Sequence, residues 1–515
     1  MSRLLKTFDY LKVFTVKWAE KVSNIRYIYA AIFLPPLMVI SGLLLKFTLY
    51  FNMDSDPLWS IAVGKWINDN GTVPFVDMFS WTVAGEQWYS NSWLFCWLMY
   101  LADQSIGYLG IALIVFIPCL VTAYFLYFMC MKYNDTGFSM LIFIAGIVAL
   151  ILLSITPRAY IYTFAFIAII MYLIRFKRES NLIYTIPLIM LLWANMQSSI
   201  TFGLAILVIE ALVGSIFFKD RRLWPVVILS FLAVLINPYG FGFLTISYSG
   251  VIAPDTQWIS EWRAPDFNEL GIIILYLLLF LFGLFGASRL KDDINNKVFD
   301  REKIMILFWF WSALLLSLNT IRILHYAVLL LAPCFAAFST KSSGDDRYLR
   351  HVALILALFL FVSSLFSALP LHSWELEPLT GKPISFVDYL QINPTLREKT
   401  SLIIPAEAVD YLKNKHAMTD RLFNSYVLGS YLILNNIEVF IDARTSVFTR
   451  HNVTEDYINI TNMAIKPEVI IDKYDIKTFL LFKLEPLSFY LEVHPEWERK
   501  YEDDALVIFT RVNSE

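Results

Sequence analysis

The chain has 515 residues, of which 58% are hydrophobic and 17% charged, with a formal net charge of −3. Soluble domains hold roughly 45–50% apolar residues, and with a mean hydropathy of +0.59 this chain cannot hide its apolar surface in one aqueous core. The net charge carries no message about nucleic acid, and no nucleic-acid partner is expected; the four cysteines lie in or beside apolar runs without metal-ligand spacing, so they read as packing residues.

Residues 1–26 carry Arg3, Lys6, Lys12, Lys17, Lys21 and Arg26 ahead of an apolar run over 27–51. That run is too long for a signal-peptide core and predicts a retained first transmembrane helix, bent at Pro35-Pro36. Further apolar runs stand at 106–131, 137–155, 159–174, 182–195, 201–218, 223–236, 268–288, 303–318, 324–339 and 350–369. Together they predict about eleven spans, each near the ~20 residues that cross the hydrocarbon.

Basic residues set the orientation. With a cytoplasmic N-terminus, the inner loops hold Lys132, Arg175 with Lys177 and Arg178, Lys219 with Arg221 and Arg222, the group from Arg289 to Lys303, and Lys341 to Arg350. The outer loops then keep little but Arg158, Arg263 and Arg322, which is the positive-inside pattern. It predicts a multi-pass protein of the plasma (inner) membrane, a transmembrane domain over 27–369 with a large extracytoplasmic first loop at 52–105, and an extracytoplasmic domain over 370–515. The outward arginines read either as ligands for a phosphate, which guanidinium binds bidentately, or as snorkelling side chains and structural ion pairs; Arg158 is the favoured phosphate ligand. Glu210, midway along its span, reads as an intramembrane acid far from the outer mouth and outside the candidate site.

The first loop concentrates chemistry. Asp54 and Asp56 follow the first apolar run directly, and Asp77 follows in a segment too polar to span lipid. Trp59, Ala62, Val63, Trp66 and Ile67 recur at helical spacing and predict a helix along the membrane surface with tryptophan at the headgroups, ended by Asn70-Gly71. Trp88 to Tyr100 predicts a second surface helix, and the two would frame a lipid-facing cleft edged by the aspartates. Asp54 and Asp56 read as acid–base groups, or as caps of the helix that starts near Pro57.

After about residue 370 charges return and apolar runs shorten. A helix over 403–416, a strand or helix at Leu422-Phe423 and 427–434, strands at 438–441, 478–482 and 505–511, and helices over 456–464 and 487–494 predict a small α/β domain. Asp442-Ala443-Arg444 follows a predicted buried strand, a place where α/β sheets hold ligand groups, although a structural turn is the favoured reading.

The first loop resembles that of polytopic GT-C glycosyltransferases, membrane enzymes with a carboxylate motif in the first extracytoplasmic loop. More closely, it is similar to a bacterial and archaeal group, matched here by Asp54, Asp56, Trp59, Gly64, Trp66, Ile67, Pro74, Asp77, Phe79, Ser80, Thr82, Gly85, Trp88, Trp93 and Leu94. The likeness extends to Trp193-Ala194-Asn195, Asn237-Pro238-Tyr239-Gly240, Glu261-Trp262 and 440–444, and so spans nearly the whole chain. Ser60, Ser92 and Gln197 stand where the group often has histidine, an acidic residue and histidine.

The resemblance implies an α-helical polytopic membrane protein that carries sugar from a polyprenyl-phosphate donor, drawn from membrane lipid, to a glycan, lipid or protein acceptor. An inverting transfer needs a carboxylate base, Asp54 or Asp56, supported by Asp77, Trp59 and Trp88. The leaving phosphate needs Arg158, Arg263 or Arg322, or a divalent metal held by Asp54 and Asp56. A non-catalytic scaffold or a lipid or glycan transporter on the same fold is the alternative.

Overall fold

The computed structural model describes residues 33–43, 56–134, 137–154, 156–243, 263–339, 405–414 and 419–512, with positions 355, 357–359 and 362 besides. Asp54, Glu261-Trp262, residues 1–26, most of the run at 350–369 and both flanks of the first run lie outside them. The chain divides into two compact units, one of Met1–Lys46, Pro118–Ser154 and Ala264–Phe366, the other of Phe47–Ile117, Ile155–Arg263 and Ser367–Glu515.

Described helices coincide with the apolar runs. Four are long and apolar enough to cross a membrane: Leu109–Tyr133, Ile200–Phe218, Leu270–Asn295 and Ile321–Phe338. Phe33–Leu43, Met140–Leu152, Ile161–Phe176, Asn181–Met196 and Leu223–Val234 are apolar but shorter. The expected count of about eleven spans therefore exceeds what helix length supports among the described residues: many of the runs fold as helices of too few turns to cover ~30 Å by themselves.

In the first unit, helix Leu324–Phe338 packs on Arg301–Leu316 and on Gly137–Ser154, with Leu270–Asn295 alongside. Asp300 starts Arg301–Leu316 by accepting from the amides of Glu302 and Lys303 at 2.9 and 3.3 Å, which satisfies donors that the helix cannot. Tyr276 reaches across to Ser317, its hydroxyl 3.0 Å from the carbonyl and 2.9 Å from Oγ.

The second unit holds the first loop, the helices from Ile161 to Val234 and the C-terminal segment. That segment builds a four-stranded sheet in the order β1-β2-β4-β3, with β1 Leu422–Asn424, β2 Thr478–Phe482, β3 Trp497–Glu502 and β4 Leu506–Arg511. β1 runs parallel to β2, and the other pairs are antiparallel. Helices Ala406–Asn414, Val453–Thr461 and Pro486–Val493 form close to the expected places. Residues 438–441, expected as a strand, instead make a single parallel bridge, Val439 to Ser80.

The loop helix Asp56–Asn70 departs from expectation. Ile61, Ala62, Val63, Gly64 and Ile67 are buried, and Val63 and Ile67 share a core with Phe423, Phe440, Phe448 and Phe479 of the C-terminal segment. Trp59 and Trp66 are half-buried against that core; the helix is packed into protein on several faces rather than laid open along one. Gly64 is what lets helix Trp93–Ile106 approach, since a Cβ there would stand 2.0 Å from the Cys96 carbonyl oxygen.

Glu210 also has partners. It pairs with Arg175, both side chains fully buried, and lies 3.5 Å from Arg178, which in turn stands 3.6 Å from Asp220. The cluster ties helix Ile161–Phe176 to Ile200–Phe218.

Candidate functional site

Asp56 opens the loop helix, and its Oδ2 stands 2.9 Å from Arg158 Nε; both side chains keep about a quarter of their surface exposed. Arg158 belongs to the turn ahead of helix Ile161–Phe176, where its amide donates to the Thr156 carbonyl at 2.7 Å. An acid and a guanidinium thus meet at the start of two helices, still open to solvent.

Asp77 lies elsewhere. It is 2% exposed, and Oδ2 accepts from Ser80 through N at 3.0 Å and Oγ at 2.6 Å. Its other oxygen pairs with Arg444. Arg444 also holds Asp442 through Nε at 2.9 and 3.0 Å and Nη2 at 2.7 Å, and the rings of Phe79, Trp88 and Phe448 stand 4.8, 4.9 and 5.7 Å from its guanidinium carbon. Burial alone would lower the Arg444 pKa, but Asp442 and Asp77 outweigh it and hold the guanidinium above its ordinary value. Asp77 and Trp88 are therefore parts of a buried clamp with Asp442 and Arg444, not the rim of a lipid-facing cleft, and the structural reading of Asp442-Ala443-Arg444 is the one the contacts support.

Around the clamp the loop is stitched to the C-terminal segment by backbone. Trp81 N donates to Val439 O and Val439 N to Phe79 O, each at 3.2 Å. Trp81 Nε1 reaches Leu422 O at 3.0 Å, and Thr82 Oγ1 reaches Phe440 O at 2.7 Å. Gly85 closes the loop at a φ of +79°, a conformation that costs a side-chain-bearing residue energy, and its amide donates to Asp77 O at 2.9 Å. Gly429 permits the partner side, because a Cβ there would meet the Ile441 carbonyl oxygen at 2.3 Å.

Motifs farther along act as staples for the same loop. Asn195 accepts from Trp93 Nε1 at 3.0 Å and donates to Ile236 O at 3.0 Å. Asn237 donates to Ala194 O at 2.8 Å. The Tyr239 hydroxyl donates to Pro74 O at 3.0 Å and accepts from Ser90 N at 3.1 Å.

The other sequence candidates fall in several places. Trp59 packs beside the loop helix start, Arg263 is exposed ahead of helix Leu270–Asn295, and Arg322 lies in the short turn Ile321–Ile323 of the first unit. Asp54 lies outside the described residues. Among the described residues no group of three or more His, Cys, Asp or Glu side chains is placed to hold a metal, and the described carboxylate at the site, Asp56, faces a guanidinium.

Tyr426 escaped the sequence reading. It lies in the turn Tyr426–Leu428 after β1, and its hydroxyl stands 2.8 Å from Thr445 Oγ1. Burial, joined by the carboxylates of Asp56 and Asp442, pushes its pKa up to about 12. A tyrosine in a C-terminal turn carries no spacing that ties it to an aspartate in the first loop, so only the folded contacts could find it.

No protein-family model matches the chain, and no curated protein matches it. Among solved structures it resembles the archaeal oligosaccharyltransferase AglB from Archaeoglobus fulgidus, in complex with an inhibitory peptide and a dolichol-phosphate, with a TM-score of 0.53 at 10% identity over 87% of this chain and 69% of that one. An Archaeoglobus fulgidus oligosaccharyltransferase structure in complex with Zn and sulfate gives a TM-score of 0.49 at 12% identity over 87% and 68%. At these identities the AglB likeness shows the fold. The chain has an oligosaccharyltransferase-like, mainly helical fold, and with its apolar helices that fold suggests a membrane protein.

Proposed function

We propose that the chain is an integral-membrane glycosyltransferase of GT-C type that moves a sugar from a polyprenyl-phosphate donor to an extracytoplasmic glycan, lipid or protein acceptor. The observation that carries this reading is the solvent-open Asp56–Arg158 pair at 2.9 Å. Supporting it, the AglB structure of similar fold holds a dolichol-phosphate, itself a lipid-linked phosphate, and a peptide. The alternation of basic residues supports a cytoplasmic N-terminus in the plasma membrane, with the first loop and residues 370–515 on the other side.

The chemistry follows from the pair. The carboxylate of Asp56, with Asp54 as the neighbouring candidate, takes the proton of the acceptor hydroxyl as that oxygen attacks the anomeric carbon. The bond from that carbon to the phosphate oxygen breaks with inversion, and polyprenyl phosphate leaves with the electron pair. Arg158 stabilises the negative charge on the departing phosphate. Before the donor enters, the same guanidinium holds the carboxylate in place; the incoming phosphate competes for it and releases the base. Arg263 remains a candidate for the same phosphate.

The test is transfer of radiolabelled sugar from a panel of polyprenyl-phosphate donors by the purified protein in lipid, beside Asp54→Asn, Asp56→Asn and Arg158→Ala. Expected are transfer by the parent and a loss of about 10²–10⁴-fold in the variant that lacks the base. Equal rates in the parent and all three variants, or no transfer from any donor by folded parent protein given an acceptor-rich membrane extract, would overturn the reading.

A further inference from the structure

We propose that Tyr426 and Thr445 form a subsite that binds a hydroxyl of a sugar ring beside the Asp56–Arg158 pair. This deepens the transferase reading and rests on it for the identity of the ligand's carrier, donor or acceptor.

Three observations converge. Position comes first: the loop helix packs against helix Gly429–Leu434, which directly follows the turn that bears Tyr426, and Leu58 and Trp59 lie on the core that contains Leu428. Asp56, Asp442 and Arg158 are near enough to bias the phenol electrostatically. Rigidity is second. The Tyr426 amide is held by the Tyr457 hydroxyl at 2.8 Å, and Thr445 directly follows Arg444, which the buried carboxylates fix. Third is the chemistry of the pair. A phenol and an alcohol 2.8 Å apart are both neutral and can each donate and accept, so the pair can both give a hydrogen bond to a ligand hydroxyl and take one from it. Tyr426 is half-buried while Thr445 is buried, so the phenol is the open member of the pair, and next to a base and a phosphate-binding guanidinium the group in need of such contacts is the sugar.

The clamp explains why this arrangement sits on two distant parts of the chain. Asp77 and Arg444 lock the first loop to the C-terminal segment, and the lock sets the distance between Asp56 on one and Tyr426 on the other.

The experiment compares the full-length protein with Tyr426→Phe and Thr445→Val in lipid nanodiscs, measuring equilibrium binding of polyprenyl-phosphate glucose, polyprenyl-phosphate mannose, bare polyprenyl phosphate and the methyl glycosides of both sugars. Loss of one hydrogen bond predicts about five- to tenfold weaker binding. Weakening confined to the sugar-bearing lipids assigns the subsite to the donor sugar, and weakening confined to a methyl glycoside assigns it to the acceptor. Equal weakening of bare polyprenyl phosphate, unchanged binding of every probe, or a parent that binds none of the sugars overturns the subsite. Binding that behaves as expected in a parent that never transfers sugar leaves the subsite standing and removes the transferase reading. Thr445→Val carries the comparison should Tyr426→Phe lose its fold.

Discussion

Arg444 and Asp77 lie 367 residues apart in sequence and form an ion pair with side chains at most 1% exposed. Asp442 completes the charge pairing from the other side of the guanidinium. Two carboxylates around one planar cation, capped by aromatic faces, make a site that neither lysine nor a neutral residue can replace, since only guanidinium engages both at once.

Breaking this clamp predicts a graded loss of stability. Arg444→Met leaves two buried carboxylates facing each other and costs most; Asp77→Asn leaves the cation with Asp442 and costs less, against about 3–5 kcal/mol for removing one partner of a buried pair. Thermal unfolding in nanodiscs, read beside protease release of the C-terminal segment, checks the order. Equal midpoints for parent and Arg444→Met would show that the pair holds nothing together.

Gly64 predicts a sharper failure. With the Cys96 carbonyl oxygen 2.0 Å from the place of a Cβ, even Gly64→Ala has to push the helices Asp56–Asn70 and Trp93–Ile106 apart, and Gly64→Val more so. Gly71 is the control: nothing lies within 4 Å of its Cβ place, so Gly71→Ala costs only the left-handed backbone, about 1–2 kcal/mol. Yield of folded protein by size exclusion should fall for Gly64 variants and hold for Gly71→Ala.

Much of this architecture is legible in the residues, for a reason that also marks the limit. Hydropathy finds the helices because burial in lipid or in a bundle needs apolar runs, and β2 and β4 are legible because Phe479 to Leu481 and Leu506 to Phe509 are buried throughout. β3 is not: it is an edge strand reading Trp497-Glu-Arg-Lys-Tyr-Glu, in which Trp497 alone is buried, and charge is what keeps such edges from pairing onward. The surface-helix reading of the loop failed because an aromatic helix packed on a protein core carries the same pattern as one packed on lipid. Asp56 and Arg158 could each be proposed singly, whereas their pairing, like the clamp, depends on contacts across a hundred residues or more.

Glu210→Gln predicts destabilisation without direct loss of chemistry. The substitution leaves Arg175 buried and Arg178 nearly so with one charge fewer to oppose them, again of the order of 3–5 kcal/mol. Pairing the change with Arg175→Met should recover part of the loss, as the two charges disappear together. Thermal midpoints of the single and double variants measure the coupling, and strictly additive losses would deny it.

Alkaline pH should loosen the C-terminal segment. The Tyr426 pKa is pushed from 10.0 to about 12, mainly by burial, and Tyr457 is raised for the same first cause. The folded protein therefore binds the phenolic proton more tightly than the unfolded chain does. Between pH 10 and 12 the unfolded state gives up protons that the folded state keeps, so stability is fully present below pH 10 and falls as pH rises through that window. Unfolding followed by intrinsic fluorescence, with phenolate absorbance in parallel, should show the parent losing stability steadily above pH 10 and Tyr426→Phe losing less, because the variant has one fewer proton to release. Below pH 10 the Tyr426 phenol stays neutral, so any sugar-binding role it has should show no pH dependence of its own there. A binding limb between pH 6 and 9 that vanishes in Tyr426→Phe would contradict this protonation state.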